Sequence, residues 1–274
     1  CSQCHGNDGM GKQMGDGKLL APALAGSFRI QQHPEYAVRV ILHGLEGAIE
    51  GKTYAGGLMQ PMKEQSDQWI SDVVSYIRNG LSNDASFVTP QQVAAIRANT
   101  NKQAGMYKFE SLLKQVPVEF VPDQSWKFYA THTSSTRVGG NASPKSAFNY
   151  EGWSTGKTQE KDMVFQVEFP SEYMLSEFHF TSTSGFKKGI RPKAGEAPEF
   201  THTYPRNLLV EASTNGTDWK VVQANVKTNQ GDNIVALPPT RTKFLRLKLA
   251  EGVTAAADDI TPWSMRSMKI YGLR

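Results

Sequence analysis

Cys1-Ser2-Gln3-Cys4-His5 opens the chain, and these five residues settle more of its reading than any other stretch. They hold both cysteines of the 274-residue sequence. A disulfide between them would close a loop too short to constrain the unfolded chain, so a disulfide-stapled scaffold is excluded. A zinc site would call for further Cys or His ligands nearby, and there is no other cysteine. A redox Cys-x-x-Cys pair belongs beside a βαβ pattern, which is not seen here. An acylated first cysteine would leave Cys4-His5 unexplained.

The spacing suits another chemistry. Two thiols three positions apart can add to the two vinyl groups of one haem, and the next residue then swings an imidazole under the iron. Gly6, Gly9, Gly11, Gly15 and Gly17 follow in a loop dense in glycine, suited to passing close to a flat cofactor. Composition sets the outer limits. The length allows one large domain or two ordinary ones. With 30 Lys+Arg against 26 Asp+Glu the net charge is +4, so no basic field argues for nucleic acid. No apolar run approaches the roughly 18 residues of a membrane span.

Pro22-Ala23-Leu24, the helical pattern from Pro34 to Leu42, the segment Lys52 to Met62 and a second helical pattern from Asp67 to Asn79 extend the signal to residue 83. Together with the opening motif they resemble an all-α class I cytochrome c domain. The resemblance implies one covalent haem c on Cys1 and Cys4, with His5 as an axial ligand whose ring N–H is held by the Pro22 carbonyl. It also implies a methionine on the loop before the last helix. Met59, eight residues before Asp67, fits that spacing better than Met62 at five, although neither is followed directly by proline as the family usually has it. His43 reads as a helix-end histidine or a haem-edge residue, and His33 as a turn residue. The family normally carries a helix before the haem motif, and its haem is attached outside the bacterial cytoplasm. The expectation is therefore a fragment of an exported, periplasmic or extracellular protein.

Residues 84–117 read as a helical connector, with short helices at Gln91–Asn99 and Phe109–Val116. From residue 118 to 274 the pattern changes to short alternating runs, such as Met163–Phe169, Ser176–Thr181, Asn207–Ser213 and Phe244–Leu249, with Asn215-Gly216 as a tight turn. Many strands and almost no helix read as a β-sandwich.

Lys145–Asn149 leading to Trp153-Ser154-Thr155, Tyr204-Pro205-Arg206, Ala212 to Trp219, Thr242 to Leu247 and Met268 to Gly272 together resemble a discoidin, or coagulation-factor C-type, domain. That is an all-β jelly-roll of the galactose-binding-like class. The resemblance implies a binding module for glycans, lipids or protein surfaces, and it brings with it the option of a structural Ca²⁺. Asn149-Tyr150 and Ser267 stand where the family has Asp-Gly and Glu, which weakens that option, since Ca²⁺ prefers a carboxylate-rich cage. Lys187, Lys188, Arg191 and Lys193, with Tyr204 and Trp263 nearby, are the candidate ligand-binding loop. Trp126 is a second aromatic candidate at that end; buried packing is the commoner fate of such a ring and stands as the alternative for both Trp126 and Trp263, as a solvated loop does for the basic cluster. Trp153 and Trp219 read as core.

No catalytic constellation emerges. The adjacent acids Asp258-Asp259 point apart, and Thr133 to Thr136 lacks a His/Asp partner. The expectation is an electron-transfer protein rather than an enzyme, with a redox partner protein and a glycan or surface ligand. The alternative is the electron-accepting tail of a larger quinoprotein-like sugar dehydrogenase. A haem enzyme or gas sensor would need an open sixth position.

Overall fold

The computed structural model describes residues 1–136, 142–186, 193, 195–197, 199–254 and 260–273. The chain divides into two units, Cys1–Val118 and Glu119–Arg274, each built on its own apolar cluster.

The first unit contains α1 (Ser2–His5), α2 (Phe28–Gln31), α3 (Pro34–His43), α4 (Asp67–Asn79), α5 (Pro90–Asn99) and α6 (Phe109–Leu113). Three two-residue strands, β1 (Leu45–Glu46), β2 (Leu58–Met59) and β3 (Tyr107–Lys108), make a small sheet in the order β2-β1-β3. Local chemistry sets the helix ends. Pro34 opens α3 where a missing N–H costs nothing, and His33 Nδ1 accepts the Glu35 N–H at 3.3 Å. At α4, Ser66 Oγ accepts the Trp69 N–H at 3.2 Å. At α5, Thr89 and Gln92 form a reciprocal capping box. Ile70, Val74 and Ile77 give α4 one buried face, packed with Val38, Ile41 and Leu42 of α3.

Residues 84–117, read from sequence as a connector, are part of this core. Val88, Val93, Tyr107, Phe109, Leu112 and Val116 are buried in the same cluster as α3 and α4. β3 also pairs in parallel with β1, Leu45 opposite Tyr107. α5 gives the core a single buried residue, Val93, and the rest of the cover comes from separate points before and after it.

One buried charge ties several loops of this unit together. Arg78 is 2% exposed. Its Nη1 donates to the Ile30 and Gln32 carbonyls, both at 2.6 Å, and its Nε donates to Ser86 O at 3.1 Å.

The second unit begins within β4 (Val118–Phe120). It continues through β5 (Lys127–Ala130), β6 (Ser134–Ser135), a 3-10 turn at Pro144–Phe148, β7 (Trp153–Thr158), β8 (Val164–Ser182), β9 (Ser184–Phe186) and β10 (Phe200–His202). The remaining strands are β11 (Leu208–Ser213), β12 (Lys220–Val226), β13 (Gly231–Leu249) and β14 (Pro262–Leu273). The main sheet path is β12-β11-β13-β8-β14-β7-β6, with β5 joined to β8.

Two 19-residue strands make it a sandwich. The first half of β8 pairs with the end of β13, Val167 opposite Leu245, and its second half pairs with the start of β13, Phe178 opposite Val235. Between these halves the register shifts, at Pro238-Pro239 of β13. Proline cannot donate to a sheet ladder, so the pair sits at an irregularity. In β8 the buried residues change from Phe165, Val167 and Phe169 to Phe178 and Phe180, so the inward face switches parity across the bend.

Gln159 organises one end of the sandwich. It is 1% exposed, its Nε2 donates to Tyr204 O at 2.9 Å and to Pro262 O at 3.2 Å, and its Oε1 accepts the Arg206 N–H at 2.9 Å.

Two substitutions measure these hubs. Arg78→Ala removes the donor from three carbonyls, of which Ile30 is buried, and lowers first-unit stability by about 3 kcal/mol. The urea midpoint of the helical circular-dichroism signal reads that loss, and Arg78→Lys recovers little of it because an ammonium lacks the planar fork. Gln159→Ala lowers second-unit stability by about 2–3 kcal/mol, read by tryptophan fluorescence, with the helical signal unmoved.

Candidate functional site

α1 places Cys1, Cys4 and His5 on one wall of a cavity of about 340 Å³ in the first unit. The helix is a single turn, and the chain after it is tied back to it. The Gly11 N–H donates to His5 O at 2.7 Å and the Lys12 N–H to Cys4 O at 3.0 Å. Further on, the Leu24 N–H reaches Gly9 O at 2.7 Å. Gly11 has φ +87°, and a Cβ there would stand 2.7 Å from Ala21 O, so only glycine allows the two passes of the loop to lie so close.

This wrapping brings the Pro22 carbonyl over the imidazole. His5 Nδ1 donates to Pro22 O at 2.8 Å, which fixes the proton on Nδ1 and leaves Nε2 with its lone pair. Burial holds the His5 pKa below its ordinary value, opposed by the Pro22 hydrogen bond. A neutral imidazole is the form that can ligate a metal. Both cysteines are exposed free thiols.

The remaining walls are mainly apolar. Ala37, Val40 and Ile41 come from α3, Leu45 from β1, and Val73 and Ile77 from α4, while Met59 and Met62 both contribute from the 58–66 segment. Met62 is held at its backbone, its N–H donating to Ile41 O at 2.7 Å. Met59 stands opposite Leu45 in the β1–β2 pair.

The lining has a polar part that the sequence reading missed. It includes Arg29, Tyr36 and Tyr54. Arg29 Nη1 pairs with Glu50 Oε2 at 2.6 Å. Burial pushes the Tyr36 hydroxyl up to about 12, against the pull of the Arg29 guanidinium. Successive members lie 7 and 18 positions apart, so no local motif announces them.

The donor set fits a c-type haem: two thiols at motif spacing, a tautomer-fixed neutral imidazole, a thioether and apolar walls, with cationic and phenolic donors for carboxylates. His43 is not part of the lining. Its Nε2 donates to Thr100 Oγ1 at 2.8 Å, because that hydroxyl already donates to Ile96 O. His33 caps α3 as described above.

The candidate ligand loop of the second unit is reduced by the structure. Lys187, Lys188 and Arg191, like Asp258 and Asp259, lie outside the described residues. Lys193 is exposed, its N–H donating to Glu196 Oε2. Trp263 must be corrected from a ligand-loop residue to a core residue. It is fully buried and stands edge-on to Trp153 at 5.2 Å, and a ring without an exposed face cannot stack a sugar. Trp126 is likewise packed, edge-on to Phe169 at 4.8 Å. Trp219, expected in the core, is half-buried with the Arg246 guanidinium 3.5 Å over its ring. Tyr204 carries the Arg206 guanidinium at 3.4 Å, so one of its faces is already covered. Among the described residues no three His, Cys, Asp or Glu side chains gather to hold a metal ion, and no helix is long and apolar enough to cross a membrane.

No curated protein matches the chain. Solved structures similar to it include a family 32 CBM from C. perfringens NanJ in complex with galactose, 16% identical with TM-score 0.41, covering 57% of this chain and 99% of that one. A putative chitobiase fragment from Bacteroides thetaiotaomicron is 15% identical with TM-score 0.37, covering 57% and 95%. A point mutant of chitosan-binding module 1 from a Paenibacillus sp. IK-5 chitosanase/glucanase is 13% identical with TM-score 0.38, covering 53% and 93%. The family model described as Cytochrome c matches residues 1–80, and that stretch contains every residue lining the cavity built on Cys1, Cys4 and His5.

Proposed function

We propose that the first unit holds one haem covalently through Cys1 and Cys4 and relays single electrons to and from a redox partner outside the cytoplasm. One observation carries the reading: both thiols, the Pro22-fixed imidazole of His5 and two methionines line a single apolar cavity. When bound, the group supplies an iron that changes oxidation state by one electron.

The protein's own part is ligation, orientation and exclusion of water. His5 offers Nε2, and the Pro22 carbonyl sets its tautomer and raises its basicity. Met59 would be the preferred sulfur donor to the iron, with Met62 the alternative. A thioether ligand would favour the reduced state and leave no room for a substrate. The walls from α3 and α4 keep the surroundings at low dielectric. Arg29, Tyr36 and Tyr54 are the groups suited to receive the haem carboxylates.

On its sequence motifs, we read the second unit as a docking module for a glycan or another surface. It brings the relay to its site of action and takes no part in the redox step.

Absorption spectra test the ligand set. The ferric protein is expected to be low-spin with a methionine–iron charge-transfer band, and the ferrous protein to be indifferent to carbon monoxide. Met59→Ala abolishes the band and admits carbon monoxide, whereas Met62→Ala retains both wild-type properties. Ready carbon monoxide binding by the native protein would overturn the closed-relay reading. For the second unit, the full chain on a glycan array should be retained by at least one glycan class. Uniform absence of retention there would refute glycan docking.

A further inference from the structure

The segment that carries the two methionines has little regular structure of its own: the two residues of β2 and one turn closed by the Gln65 N–H on Met62 O at 3.0 Å. Beyond the Met62 N–H on Ile41 O and the pairing of β2 with β1, its hold comes from the stretch of chain read as a connector. Arg97 on α5 uses three nitrogens on three alternate residues. Nη1 donates to Lys63 O at 2.5 Å, Nη2 to Gln65 O at 2.8 Å, and Nε to Asp67 Oδ1 at 2.8 Å. The planar fork of a guanidinium matches such a row of acceptors, and a lysine ammonium does not. On the N-terminal side, β3 supports β1, which in turn pairs with β2. Gly44 marks how tightly these layers meet. It has φ +80°, and a Cβ there would stand 2.6 Å from Met59 O and 2.8 Å from Met106 Cγ.

The Arg97–Asp67 pair is about one-third exposed on both sides. Water can replace these bonds when they break, so their contribution to global stability is small. Their effect is local, because they decide how often the segment opens while α4 and the core stay folded.

We propose that residues 90–108 act as a strap across the methionine segment, with Arg97 as a positioning residue that holds the segment where its sulfur donor would be available to the iron. The inference rests on the haem reading above and adds to it a residue that touches neither haem nor iron ligand.

The test compares wild type, Arg97→Ala and Arg97→Lys in the full chain. Hydrogen exchange is followed on peptides covering 58–66, with peptides from α4 and from the second unit as references. Exchange in 58–66 should rise about tenfold in Arg97→Ala with the references unchanged, and Arg97→Lys should restore only part of the protection. In the same variant the ferric methionine–iron band should vanish on heating well before the helical signal, whereas in wild type the two are lost together. Unchanged exchange in 58–66, or faster exchange throughout the first unit, would overturn the strap. A wild-type protein without the methionine–iron band would sink methionine ligation, and with it the service Arg97 does the iron, while the exchange contrast would still decide whether residues 90–108 strap the segment.

Discussion

An apolar cavity of about 340 Å³ is the constraint on which the first unit depends. The walls from α3, α4 and the 58–66 segment face one another across this space instead of touching, so its shape decides where each of them has to be held. Each device that shapes the cavity serves this one requirement. The close pass of the loop at Gly11 holds one wall, the α3–α4 face holds the opposite wall, and residues 84–117 close the outside. On the function proposed above, a haem joined to the thiols at the start of the chain would fill this space and, being linked by thioethers, could not dissociate as a loosely held group would.

Much of this was legible in the sequence, and for identifiable reasons. α4 runs from Asp67 to Asn79 as its periodicity implies, because a continuous amphipathic face and the following Gly80 both mark its limits. The haem motif is legible because its chemistry fixes the spacing. Arg29, Tyr36, Tyr54 and Arg97 were invisible because they act from four separate segments and meet only after folding. The packing of residues 84–117 onto the core was hidden for the same kind of reason: Val88 and Val93 each bury alone, so no period reveals them.

In the second unit, alternation located the main strands but not their continuity. Pro238-Pro239 reads as the end of a strand, yet β13 passes through it, because the register shift absorbs the two missing donors. Trp263 shows the limit of residue-type arguments: a tryptophan near a loop end suggests a binding face, but the phase of β14 turns this ring inward.

The two long strands have a kinetic consequence. β8 and β13 pair residues separated in sequence by 49 positions at Ser182–Gly231 and by 84 at Val164–Lys248. Closing such loops requires chain entropy to be surrendered before the contacts that reward it exist. The first unit is assembled largely from helices and short returns of the chain. During synthesis it is also complete before β13 has emerged. The sandwich is thus the late and slow step of maturation, and its unpaired β8 is the surface most exposed to misassociation while it waits for its partner.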